Sequence, residues 1–168
     1  MPQFILNRPA KRVKFDELSE FAKGYVEAMF FTGCDAGIDE VREDNLSVTR
    51  LTRESLANIA RDCATFESEN AELLALAYAT GYTEEQAGRD FWFTRQGHGV
   101  GFWEREELQE NHQKLHVELG SPRIGDPAWP EYERRRDAEP SIGDALTEAA
   151  QKAGESYVEI HLGWIYVR

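Results

Sequence analysis

The stretch from Asp90 to Arg105, DFWFTRQGHGVGFWER, sets two aromatic segments around a Gly-His-Gly turn and constrains the fold more than any other part of the chain. It predicts a β-hairpin. Side chains alternate along a strand, so Phe91, Phe93 and Arg95 would project to one face of the first arm, and Trp92 and Thr94 to the other. Gly97 and Gly99 would supply the positive φ of a tight reversal. Asp90, Arg95, Glu104 and Arg105 flank the arms, where cross-strand ion pairs would pin the register. The segment spells out no nucleophile, metal cage or phosphate loop.

Helical periodicity surrounds it. Leu18, Phe21, Ala22, Tyr25, Val26 and Met29 recur at three- and four-residue steps and predict a first amphipathic helix, ended by Gly33, Asp35 and Gly37. Asp39 to Ser47 reads as a loop. Thr52 can cap a second helix with Leu56, Ile59, Cys63, Phe66, Leu73, Leu74 and Ala77 on one stripe, running to Thr80 with Gly81 as its stop. Thr83 and Gln86 have capping-box spacing, predicting one helical turn through Ala87 and Gly88 that delivers the chain into the hairpin. Leu108, Leu115 and Leu119 mark a third helix ended by Gly120 and Pro122. Residues 121–141, SPRIGDPAWPEYERRRDAEPS, hold four prolines and a basic run, and predict an extended surface loop. Ser141 and Asp144 can cap a fourth helix closed by Gly154. The tail YVEIHLGWIYVR is β-prone, with Gly163 at a turn or bulge. The expected fold is one α+β domain over residues 1–168. A small antiparallel sheet, made of the aromatic hairpin and the C-terminal strands, packs against several helices.

Charge narrows the partners. Nineteen basic side chains against thirty-one acidic ones leave a formal net charge of -12, which disfavours attraction to phosphate backbones or anionic membrane. Direct nucleic-acid binding is therefore not expected. Cys34 and Cys63 have no CxxC spacing, no signal-peptide core precedes the first helix, and no window approaches membrane-spanning length. These features predict a cytosolic location with free thiols.

The run AGRDFWFTRQGHGVGFWER, preceded by ESLANIARDCATFESENAELL and followed by IGDALTEAAQKAGE and a β-tail, resembles a group of small uncharacterised bacteriophage and prophage proteins. Their corresponding segment reads close to AGHDFWLTRNGHGAGFWDR. The resemblance implies a phage origin and carries no reaction with it. The chain departs from that pattern in Glu106 to Pro140, which looks like an insertion, and in a tail turn reduced to Gly163.

Each chemical candidate has a structural alternative. His98, at a hairpin tip, would be exposed and able to bind a partner or move a proton, or else serve as a turn residue bonding its own backbone. The aromatic arms would stack bases or fill a core; a helix-covered sheet favours the core. His112 and His116 have a spacing that can hold zinc, but HQKLH lacks the glutamate of HExxH and no third ligand is evident, with His161 a remote candidate. No metal, cofactor or catalytic set is assigned. The reading is a phage accessory protein that binds a host protein in an inhibitory or counter-defence role. Its contact residues would be Arg95, His98, Arg105, Trp129, Tyr132, Arg134, Arg135 and Arg136, since aromatic and arginine anchors dominate interfaces. One alternative is an acidic DNA mimic that blocks a nucleic-acid-binding host protein; the other is a histidine-dependent enzyme or metal-binding protein.

Overall fold

A computed structural model of the chain describes residues 14–32 and 48–168. The expected end of the first helix at Gly33, the loop from Asp39 to Ser47 and the surroundings of Cys34 lie outside the described residues. The α-helices are α1 (Glu20–Phe31), α2 (Arg53–Glu69), α3 (Ala71–Ala79), α4 (Glu84–Arg95), α5 (Glu110–Glu118), α6 (Trp129–Ala138) and α7 (Ile142–Ala153). They are followed by the antiparallel strands β1 (Val158–His161) and β2 (Trp164–Val167). The α+β class, with a small antiparallel sheet packed against helices, is thus as the sequence predicts. No helix among the described residues is long and apolar enough to cross a membrane.

The aromatic hairpin is a correction. Its first arm is the second half of α4, and Phe102 to Glu104 form a short 3-10 turn, so the sheet comes from the tail alone. The capping box at Thr83 and Gln86 forms as expected, but the helix it starts runs for three turns instead of one. Gly97, at φ 69°, ends it: the His98 amide donates to the Phe93 carbonyl at 2.9 Å and the Gly97 amide to that of Thr94 at 3.2 Å. This is a Schellman cap, and the left-handed glycine it requires is the same residue a hairpin turn requires. Burial decides between the two. Ala87, Gly88, Asp90, Phe91, Trp92, Thr94 and Arg95 are all buried, so most of the circumference of α4 is enclosed and neither period stands out in the sequence.

The enclosure depends on two glycines. A Cβ placed on Gly88 would lie 1.8 Å from the Phe21 carbonyl oxygen, and one on Gly24 would lie 2.1 Å from that of Glu85, so α1 and α4 cross backbone to backbone. Around the crossing the rings of Phe66 and Phe91 stack at 4.1 Å, and Trp92 meets Tyr25 edge-on at 5.1 Å. The Trp92 indole N–H donates to Thr32 Oγ1 at 3.0 Å, which satisfies the one polar atom of that side chain.

Three further expectations are refined. The second predicted helix breaks at Asn70, whose φ of -117° and ψ of 22° leave the helical region, and its Nδ2 donates to the Phe66 carbonyl at 2.9 Å. Residues 121–141 are not one extended loop. Pro130 occupies the first turn of α6, where its missing N–H costs nothing, and Arg135 and Arg136 lie at the favourable C-terminal end of the dipole. In the tail, Leu162 and Gly163 take positive φ of 49° and 74°, a two-residue reversal of type I′ character. The outer side of β2 is met by α2: the Thr52 amide and Ser55 Oγ donate to the Ile165 carbonyl, the Val167 amide donates to Ser55 Oγ, and Asn58 Nδ2 donates to the Val167 carbonyl.

Two outcomes follow from this packing. Gly88→Ala is expected to destabilise the protein by about 3 kcal/mol, at the upper end for overpacking, because the obstructing atoms are backbone; a shift below about 1 kcal/mol in urea unfolding would show that the helices can part cheaply. Cys63 is fully buried, and burial pushes its thiol up, so alkylation at Cys63 should track global unfolding as followed by peptide mass spectrometry.

Candidate functional site

Of the two arginines expected at a contact surface, Arg95 is turned into the protein, while Arg105 stays part-exposed with its guanidinium committed to a buried carboxylate. Arg95 closes α4 with its side chain only 5% exposed. Its Nε donates to the Gly154 carbonyl at 2.7 Å, and its Nη1 donates to the Tyr25 hydroxyl at 3.1 Å and faces Asp62 at 3.4 Å. The guanidinium also lies 5.1 Å from the centre of the Phe91 ring. It thereby ties α1, α2 and α4 to the C-terminal end of α7, where a cation is favoured by the helix dipole. Burial pushes the Tyr25 hydroxyl up, with Arg95 opposing, so this residue stays a neutral phenol.

Arg105 makes a two-pronged pair with the fully buried Asp90, Nε to Oδ2 at 2.6 Å and Nη2 to Oδ1 at 2.5 Å. Tyr82 donates its hydroxyl to the same Oδ2 at 2.5 Å. The Asp90 hydrogen bonds hold Arg105 more firmly protonated, while burial and the Asp90 charge push the Tyr82 hydroxyl up. The three side chains fasten the segment after the cap back onto α4. Gly101 permits this return, because a Cβ there would fall 2.3 Å from Thr94 Oγ1.

His98 is half-buried, not a protruding tip, with its ring edge-on to Phe93 at 5.9 Å. Its Nε2 is enclosed and has no hydrogen-bond partner among the described residues. His112 and His116 serve different contacts. Nε2 of His112 lies 3.0 Å from the Glu139 carbonyl, and Nε2 of His116 lies 3.0 Å from that of Pro122. A carbonyl only accepts, so each Nε2 carries the proton, and neither is directed to a shared metal position. Among the described residues no group of three His, Cys, Asp or Glu side chains converges on such a position. His161 ends β1, in an exposed position.

What the two α5 histidines build is an arm. His112 holds the end of α6 and faces Asp144 of α7 at 3.5 Å, while His116 holds the 119–128 connection and packs edge-on against Tyr132 at 5.3 Å. Trp129 lies 5.4 Å from Tyr132, and the Arg136 guanidinium 5.9 Å from the Tyr132 ring. No residue of α6 is buried. The arginine run is not free charge: Arg134 pairs with Glu131, Arg135 with Glu118 and Arg136 with Asp137, each at 2.7 Å. Arg135 and Arg134 hold Glu118 and Glu131 below the usual carboxylate range. Elsewhere on the arm two apolar side chains stand out in solvent, Val117 at 71% and Ile124 at 84% exposure. Val117 carries a readable signal, an aliphatic residue out of phase with the Leu108, Leu115 stripe.

Arg105→Gln should cost about 3 kcal/mol or more, because it leaves the Asp90 carboxylate buried with Tyr82 alone; adding Asp90→Asn should recover part of the loss. A double-mutant cycle by urea unfolding measures the coupling, and a coupling near zero would mean that the pair does not hold the return segment. No family model, curated protein or solved structure matches the chain.

Proposed function

We propose that this protein acts by binding another protein through the α5–α6 arm, and that in the phage setting suggested by its resemblance the target is a host protein that it inhibits or diverts. The supporting observation is that no residue of α6 is fully buried, that Trp129 and Tyr132 are left part-exposed on it, and that Val117 of α5 and Ile124 of the connection are exposed. Exposed apolar and aromatic side chains on one arm are the material of interaction sites, and aromatic anchors supply most of the energy of an interface. The paired arginines around it form a polar rim. They contribute specificity more than affinity, since their charges are already balanced on the arm.

The alternative is a DNA mimic, and the formal charge of -12 is what favours it. The two readings differ in salt dependence. A mimic's complex weakens steeply with added salt and is displaced by duplex DNA, whereas a complex anchored by Trp129 and Tyr132 changes little with either.

The test is affinity capture from host lysate with the parent chain and with the double variant Trp129→Ala/Tyr132→Ala, followed by titration of the captured partner. Loss of about 2 kcal/mol or more, roughly a thirtyfold weakening, is expected with an unchanged unfolding midpoint. Equal binding by the two chains would overturn the assignment to the arm.

A further inference from the structure

A cleft of about 670 Å³ lies between α2, α4 and α7, lined by no residue of α5 or α6. Its size falls within the range of small-molecule sites. We propose that it binds a small amphipathic anion, with the hydrocarbon body lying along α7 above Phe66 and Phe91 and the acidic head at the Arg61 and Arg95 end.

The apolar middle comes from the stacked rings of Phe66 and Phe91 beneath and from Ala145 and Ala149, one turn apart on α7. Short side chains at those two positions leave room that larger ones would fill. Asp62 and Arg95 lie at the end where α7 stops, and Asn70 and Ala145 line the other, so α2 and α7 run antiparallel along the cleft.

Charge sets the polarity of the ligand. Arg61 and Arg95 share one carboxylate, Asp62, at 3.2 and 3.4 Å. That leaves one positive charge unbalanced at this end. Lys152 is balanced by Glu148 at 2.6 Å, and Glu69 stands about two helical turns along α2 from Asp62. A cationic head would find Asp62 already committed to two guanidiniums. An anionic head finds donors: Arg95 is fixed by Gly154 and Tyr25, while its Nη2 has, among the described residues, only the Ala153 carbonyl at 3.5 Å. A guanidinium held rigid before the ligand arrives loses little freedom on binding it. The overall charge of -12 makes this local arrangement the part that must attract the anion.

The probe is 1-anilinonaphthalene-8-sulfonate, which joins aromatic rings to one fixed negative charge. Titration of the native chain is expected to give saturable fluorescence enhancement at one site, displaced by dodecanoate and not by dodecylammonium. Arg61→Glu, at an exposed position, and Ala149→Trp, which fills the middle, should each weaken binding by about tenfold or more, with the far-ultraviolet circular dichroism and the urea unfolding midpoint unchanged. Arg61→Glu keeps the test decisive if Ala149→Trp fails to fold. The Trp129→Ala/Tyr132→Ala variant should bind the probe within about twofold of the parent, which separates this site from the arm. Absence of saturable binding, binding that survives Arg61→Glu, or equal displacement by dodecylammonium would overturn the proposal; the last two would point to a site elsewhere or to an apolar occupant such as a partner helix.

Discussion

Two helices that cross with carbonyl oxygens under 3 Å from where a methyl group would stand leave no space for side chains between them, and the rest of the structure is arranged around that closeness. Gly24 and Gly88 bring the axes of α1 and α4 together, so side chains on either flank of the crossing reach across instead of being held apart. Phe21 meets Phe91, and Tyr25 meets both Phe91 and Trp92, because their helices approach so nearly. The Arg95 bond to Tyr25 is possible for the same reason. A backbone contact that carries almost no hydrophobic area of its own thus sets where the largest buried side chains stand.

Polar groups then fix what the aromatic layer cannot. Aromatic rings fill volume with modest preference for direction, whereas a guanidinium that bonds four named acceptors admits one placement. Arg95 gives α4 its rotation relative to α1, α2 and α7, and Arg105 with Asp90 and Tyr82 fixes the path of the chain after the cap. Both arginines come from the segment that also supplies Trp92 and Phe102. The chemistry of this stretch is spent on its own architecture, and the surfaces left for partners are elsewhere, on the arm and in the cleft beside α7.

Much of the helical framework is legible in the sequence because its signals are local. Thr52 caps α2 through its own hydroxyl, and Ser141 caps α7 in the same way; the Ser19 cap of α1 falls one residue inside the stretch whose periodicity begins at Leu18. Gly154 ends α7 and Gly163 lies in the tail turn, where the sequence places a helix stop and a turn or bulge. What fails is whatever depends on the environment. Phe91 to Arg95 look like a strand when alternation is sought, since a helix buried nearly all round has no polar face to reveal its period. Arg95 looks like a contact residue for as long as Tyr25, Asp62 and Gly154 are distant in the chain. Arg134 to Arg136 look like a basic patch until Glu118 is brought up from α5. The cleft has only a faint trace, alanines at four-residue steps on α7, which any helix packed against a neighbour also shows.

The side-chain ladder that α2 lays along β2 has an effect beyond holding the tail in place. A short hairpin ordinarily offers its outer amides and carbonyls to any extended chain that passes, and so invites unwanted self-association. Here the carbonyls of Ile165 and Val167 and the Val167 amide are already occupied by Thr52, Ser55 and Asn58. That margin of the sheet is closed to strand addition, and a helix has blunted an edge that a longer sheet would have needed another strand to cover.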